Sequence, residues 1–273
     1  MQENLINNIK QIEKYLKEKQ IKSKIIDRMY NLEYKTTDDV DEKSICLDII
    51  PEKNKVKMQN EICYILNDSL EQDLFKELVK LLSLNVVKSL GNKLIVKTGF
   101  SETEYKNING EIEFFEDPKN IFLNLGVLEY IVQTMYIDII NKPYERKICD
   151  NNLTNSYLAG EITRILNFII FETEDNTELL NLYFNNKKEV FLNKIEEKLK
   201  ISETEIYELY EIATLLLSPE ITKKTMHVSD EYKMKFLKKF FIKAYKCAKE
   251  NNIRNTDFFF ATEFNRDVVS LLS

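Results

Sequence analysis

Histidine is nearly absent from this chain: a single one, His227, in 273 residues. A conventional zinc centre needs several imidazoles or thiolates close together, so no His-based site can be assembled from this sequence. The four cysteines, Cys46, Cys63, Cys149 and Cys247, are widely scattered, without CxxC spacing or a Cys/His cluster. Cys63 and Cys247 sit in apolar surroundings and read as buried thiols. Cys149 stands beside Asp150, with no Cys/His motif to activate it. There are 5 glycines, all isolated (Gly91, Gly99, Gly110, Gly126, Gly160), which leaves no Gly-rich loop to cradle a phosphate or dinucleotide. With only 4 prolines as well, the composition favours helices over a loop-rich sandwich.

Neither charge dominates. The 39 basic and 45 acidic residues leave a net charge of -6, which argues against a sequence-wide nucleic-acid surface. Uninterrupted apolar runs such as Ile165–Phe171 and Ala213–Leu217 are far too short to span a bilayer. Met1 to Lys19 is polar and charged, unlike a secretory leader. The expectation is a cytoplasmic protein with no membrane association.

What is present is a soluble profile, 44% hydrophobic and 31% charged. Leu5, Ile6, Ile9, Ile12, Tyr15 and Leu16 recur at 3/4 spacing and predict an amphipathic helix, with Ile21, Ile25, Ile26 and Met29 extending the pattern. After a polar break at Thr36–Lys43, Ser44–Ile50 and Glu61–Leu66 have strand composition, with Pro51 and a charged segment between them. Helical period returns from Leu70 to Ser89. Leu94–Val96 is a short strand candidate between Gly91 and Gly99. Leu123–Ile140 and Leu158–Phe171 read as long apolar helices. Ser202 and Glu205 form a capping box before a helix over Ile206–Leu217, closed by Pro219. Helices over Tyr232–Lys249 and Asp257–Leu272 complete the chain. The expected architecture is α+β and predominantly helical, with a small sheet near residues 44–100. Three segments are expected: an amphipathic helical piece (1–40), a core (41–195) and a helical C-terminal subdomain (196–273) packed on that core.

One ordered set of segments stands out. A strand candidate, Ile62–Leu66, is followed by Leu74-Phe75-Lys76-Glu77-Leu78-Val79-Lys80-Leu81-Leu82-Ser83. Thr98-Gly99-Phe100-Ser101 comes next, then Leu123-Asn124-Leu125-Gly126-Val127-Leu128-Glu129-Tyr130. Ser156-Tyr157 and Leu182-Tyr183-Phe184-Asn185 are weaker echoes. This order resembles the gluzincin metallopeptidases, whose first helix reads His-Glu-Leu-x-His and whose later helix opens Leu-Asn-Glu-Gly-x-x-Glu. The resemblance covers roughly residues 60 to 190 and implies a zincin-like core. It implies that Lys76 and Lys80 stand in the two histidine places and Leu125 in the place of the third ligand. Glu77 keeps the place of the general base, and Glu129 that of the carboxylate supporting the first histidine.

The physical reason these letters matter is plain. Imidazoles at i and i+4 share one helix face, roughly 6 Å apart, and can grip one cation. Two ammonium groups have no lone pairs to offer and repel a dication. All three ligands are therefore replaced, and the expectation is a pseudoenzyme without catalytic residues, metal or cofactor. A pair between Lys76 and Glu129, with Lys80 near Glu77, is expected to neutralise the site. An inherited cleft without chemistry fits a scaffold that binds another protein.

The alternatives are a mainly helical interaction or inhibitor protein without peptidase ancestry, or an enzyme of another class with an unrecognised site. His227 reads as a loop or capping residue before the 232–249 helix. That helix sets Lys235, Lys238, Lys239, Lys243, Lys246 and Lys249 opposite Phe236, Phe240, Phe241 and Tyr245. It reads as a solvated amphipathic helix, and it is the one local face to which an acidic partner or a phosphate backbone could attach. Phe258-Phe259-Phe260 reads as core or a partner-helix contact.

Overall fold

A computed structural model describes residues 2–30, 33–37, 44–52, 55–66, 71–90, 93–108, 111–144, 156–215 and 230–261. The expectations for His227, Cys149, Pro219, Gly91, Gly110 and the stretch 262–272 lie outside these residues. The chain is α+β and mainly helical. Its helices are α1 (Gln2–Glu18), α2 (Ile26–Met29), α3 (Glu71–Leu82), α4 (Pro118–Ile140), α5 (Ser156–Phe171), α6 (Thr177–Phe184), α7 (Lys188–Leu199), α8 (Glu203–Leu215), α9 (Asp230–Glu250) and α10 (Thr256–Phe260). Seven strands are β1 (Glu33–Thr37), β2 (Ser44–Glu52), β3 (Lys55–Leu66), β4 (Leu84–Leu90), β5 (Lys93–Thr98), β6 (Ser101–Ile108) and β7 (Glu111–Glu116).

The chain divides into two compact units. The first comprises residues 1–124, 131–145 and 180–188 and carries both sheets. The second comprises 125–130, 146–179 and 189–273 and is helical among the described residues.

In the first unit, Leu5, Ile9, Ile12 and Leu16 bury one face of α1, as the periodicity predicts. The helix ends where Gln20 turns left-handed, with the Ile21 N–H donating to the Leu16 carbonyl at 2.8 Å. One sheet has the order β1-β3-β2, with β1 parallel and β2 antiparallel to β3. Pro51 lies within β2 rather than between two strands, which is tolerated because β2 is an edge strand and a missing N–H costs no ladder bond there. The other sheet is an antiparallel meander, β4-β5-β6-β7.

The helical period expected from Leu70 to Ser89 stops at Leu82, and Leu84–Leu90 is strand β4. Val86 and Val87 are β-branched, and the register of β4 against β5 brings Leu84 opposite Thr98 and Val86 opposite Val96. Tertiary pairing thus overrides a run of leucines that fits helical spacing. The sheet also reaches beyond residue 100: β6 and β7 carry the polar sequences SETEYKNI and EIEFFE, which give no strong apolar alternation to read.

Helix α4 begins five residues before its apolar run. Asp117 caps it by accepting the Lys119 N–H at 3.0 Å, and Pro118 occupies the first turn, where its missing N–H is harmless. By length and composition α4 could cross a membrane, but 61% of its apolar window is buried in protein, including Leu123, Val127, Ile131 and Met135. In the second unit, α5 packs on α8. Ile162, Ile165, Leu166 and Ile169 of α5 and Ile206, Leu209 and Ile212 of α8 are buried. Phe168 stacks on Phe259 with ring centroids 3.9 Å apart, which places the middle of the Phe258–Phe260 run in the core. Phe258 is exposed.

Candidate functional site

Helix α3 presents Phe75, Leu78, Val79 and Leu82 to the core of the first unit. Lys76, Glu77 and Lys80 are consequently rotated to its half-buried flank. Lys80 Nζ lies 3.7 Å from Glu77 Oε2, so these two side chains stand beside each other as expected. The separation is long for an ion pair, and both side chains keep about a third of their surface in water. Attraction at that distance and exposure is modest.

The segments gathered around Glu77 are those the sequence orders together. Gly99 adopts φ +58°, and the ring of Tyr183 lies directly over its Cα, filling the space a Cβ would need. Only glycine meets both demands, a left-handed backbone and no side chain. Phe100 follows, its ring 5.5 Å from that of Tyr183, and its N–H donates to Asn124 Oδ1 at 2.8 Å. Asn186 closes the group: its Nδ2 donates to the carbonyls of Gly99 at 2.9 Å and Ser83 at 3.3 Å. Asn186 can reach both because it ends α6 in the left-handed conformation, φ +52°, with Lys187 N–H bonded to Leu182 O at 2.9 Å.

This cluster holds three oxygens that are buried without a hydrogen-bond partner: Glu77 Oε2, Tyr183 Oη and Asn186 Oδ1. Tyr183 is fully buried. Burial pushes its hydroxyl far above the ordinary tyrosine range, and the charge of Glu77 adds to that, while Ser83 and Asn124 beside it oppose the shift. Ser83 Oγ gives its proton to the Lys80 carbonyl at 2.7 Å and Asn124 Oδ1 accepts from Phe100, which leaves the Ser83 lone pairs and the Asn124 amide N–H as the polar groups nearest the Tyr183 hydroxyl. Unpaired buried polar groups are costly, of order 1–3 kcal/mol each, and native proteins keep few of them. Three of them gather here, and three more buried polar atoms without a hydrogen bond lie along α5, on Tyr157, Arg164 and Asn167.

The remaining two positions belong to the other unit or its border. Leu125 is half-buried and, as an aliphatic side chain, offers nothing to a cation. Glu129 is 6% exposed, and its Cβ and Cγ pack against Gly160 so closely that a Cβ there would lie 2.9 Å from Glu129 Cγ. Gly126 is pressed in the same way against Tyr210, with a Cβ position 2.6 Å from the ring. Lys76 and Glu129 fall in separate units, and their pairing stands as a proposal. Tyr157, from the weaker echo, is half-buried on α5.

The residues present do not fit a zinc ion. Ammonium groups occupy two of the three positions and a leucine the third. Among the described residues, no three His, Cys, Asp or Glu side chains gather closely enough to hold a metal. Residue-level reading missed Ser83, Asn124 and Asn186 as members of the cluster. Asn185-Asn186 after an apolar helix is a left-handed cap signal, but only folding brings that cap to Gly99.

Compared with family models, curated proteins and solved structures, the chain matches none.

Proposed function

We propose that this chain is a cytoplasmic, non-catalytic protein of gluzincin-like descent that serves as a protein-binding or regulatory scaffold. What supports the reading is that Gly99-Phe100, Asn124 and Tyr183 pack together, with Glu77 of the Glu77–Lys80 pair close enough for its charge to act on Tyr183. These segments share an order with the peptidase family, and chemistry is lost at the three ligand positions alone. Lys80 stands beside Glu77, and in this reading Lys76 neutralises Glu129.

Two measurements test it. Titration of the purified chain with zinc, followed by calorimetry, is expected to show no tight site, and one tightly held zinc per chain would overturn the loss of chemistry. A double-mutant cycle on Lys76 and Glu129 is expected to give a coupling of at least about 1 kcal/mol. Zero coupling sinks the descent. The protein then reads as a mainly helical interaction protein without peptidase ancestry.

A further inference from the structure

Within the helical unit, a narrow groove runs between the start of α8 and the middle of α9. Ile201, Leu209, Phe236 and Phe240 form its apolar floor, and Glu205, Lys239 and Lys243 its rim. Its enclosed space is only about 30 Å³, far below a cofactor site and enough for the end of one side chain.

The rim charges are unequal in what they have left to give. Glu205 is consumed by the start of α8: it accepts from Ser202 N at 2.8 Å and Ser202 Oγ at 3.0 Å. Lys243 Nζ gives one hydrogen bond, 2.9 Å, to the Lys200 carbonyl at the end of α7 and keeps two donors. Lys239 is exposed and makes no hydrogen bond or ion pair among the described residues. Around it the basic surface continues through the exposed Lys235, Lys238 and Lys246, and no acidic residue occurs between 232 and 249. In a chain of net charge -6 this is a local reversal of sign.

We infer that this groove docks an acidic segment of a partner protein, which inserts one apolar side chain between α8 and α9 while its carboxylates meet Lys239 and Lys243. Charge complementarity selects the partner's sign, and the buried apolar floor selects an aliphatic or aromatic anchor. A nucleic acid fits less well. Its bases need open aromatic platforms, and the exposed aromatics of α9 are tied to carboxylates that repel phosphate, Tyr232 to Glu208 at 2.9 Å and Tyr245 to Asp257 at 2.9 Å. The inference goes beyond the scaffold reading and does not depend on peptidase descent, since every residue it uses lies outside the first unit.

The test is fluorescence anisotropy on the full chain with a labelled decapeptide of Asp and Glu carrying one central Leu. Binding in the micromolar range is expected. It should weaken by about tenfold or more when the peptide Leu becomes Ser, and by a similar factor in Lys239→Glu, whose ammonium makes no hydrogen bond or ion pair among the described residues. An unchanged thermal melt for Lys239→Glu keeps the comparison clean, and Leu209→Gln supplies a second lesion at the floor. No binding at about 1 mM peptide overturns the proposal. So does binding indifferent to the Leu, which is bulk electrostatics, or tighter Lys239-dependent binding of a single-stranded oligonucleotide of equal charge.

Discussion

Two fully buried tyrosines, one in each unit, pack their rings on a glycine. In the helical unit Tyr210 lies against Gly126, and its hydroxyl shares a 2.9 Å hydrogen bond with Thr163, which itself donates to the Ala159 carbonyl at 3.0 Å. In the sheet-bearing unit Tyr183 covers Gly99, and its hydroxyl, with Ser83 and Asn124 nearby, makes no well-formed hydrogen bond among the described residues. The packing device is the same while the polar accounting differs. A satisfied network of the first kind holds a core in one arrangement. An unsatisfied one is a standing cost to the folded state.

Several substitutions sharpen or break this contrast. The largest effect is expected from the two retained carboxylates. Glu129, nearly fully buried, should cost about 3–5 kcal/mol when changed to Ala if it is ion-paired, whereas Glu77, a third exposed and 3.7 Å from Lys80, should cost about 0–1 kcal/mol. Urea denaturation of both variants measures the difference, and equal midpoints would remove the buried pair from the argument.

Next come the glycines. Gly99→Ala combines a left-handed backbone with insertion of a methyl into a buried ring, for about 2–5 kcal/mol in total. Gly126→Ala keeps an ordinary backbone and suffers the clash with Tyr210 and the Ala159 methyl, about 1–3 kcal/mol, and recovers about 1 kcal/mol of helix propensity. Comparable losses at both sites would show that Tyr183 can swing aside, and the fixed cluster around Gly99 would no longer stand.

The tyrosines themselves should respond in opposite ways. Tyr210→Phe removes a made hydrogen bond and should cost about 1 kcal/mol, while Tyr183→Phe removes an orphan hydroxyl and should be neutral or stabilising. A clear loss in Tyr183→Phe would mean that something in solution satisfies that oxygen.

The smallest effect concerns acid. Hydrogen bonds from Ser202, with Lys243 and Lys239 nearby, hold Glu205 below the ordinary glutamate range. A carboxylate with a depressed folded-state pKa contributes stability that is full above its unfolded pKa and fades as pH falls through the folded one. Wild type should therefore lose this increment on acidification, and Glu205→Gln should differ from it at neutral pH but converge with it in acid. Parallel pH profiles would refute the capping role.

Much of the helical unit was readable because its signals are local. The Ser202–Glu205 box, the amphipathic period of 232–249 and the apolar runs of α4 and α5 each express helix geometry within a few turns, and α8, α9, α4 and α5 appear within a few residues of those bounds. Strands fared unevenly. β2 and β3 carry Ile-rich composition and were visible, but β6 and β7 are charged strands whose stability comes from neighbours, as in the Lys93–Glu104–Lys106 contacts across β5 and β6. The helical leucine period of 70–82 reads on to Ser89, whereas Leu84–Leu90 pairs with β5 as a strand. At the candidate site, the sequence named Glu77, Gly99, Phe100 and Tyr183 but not the contacts among them.

The sequence by itself determined that no imidazole cage for a metal could form, because residue type alone sets what can coordinate, and it determined most helices, because their hydrogen bonds close within four residues. Only the tertiary structure decided that Tyr183 lies on Gly99, that Asn186 bridges Ser83 and Gly99, and that Lys239 is left at the lip of an apolar groove. Those contacts join residues from tens to more than a hundred positions apart, and their energies exist only once the intervening chain has folded.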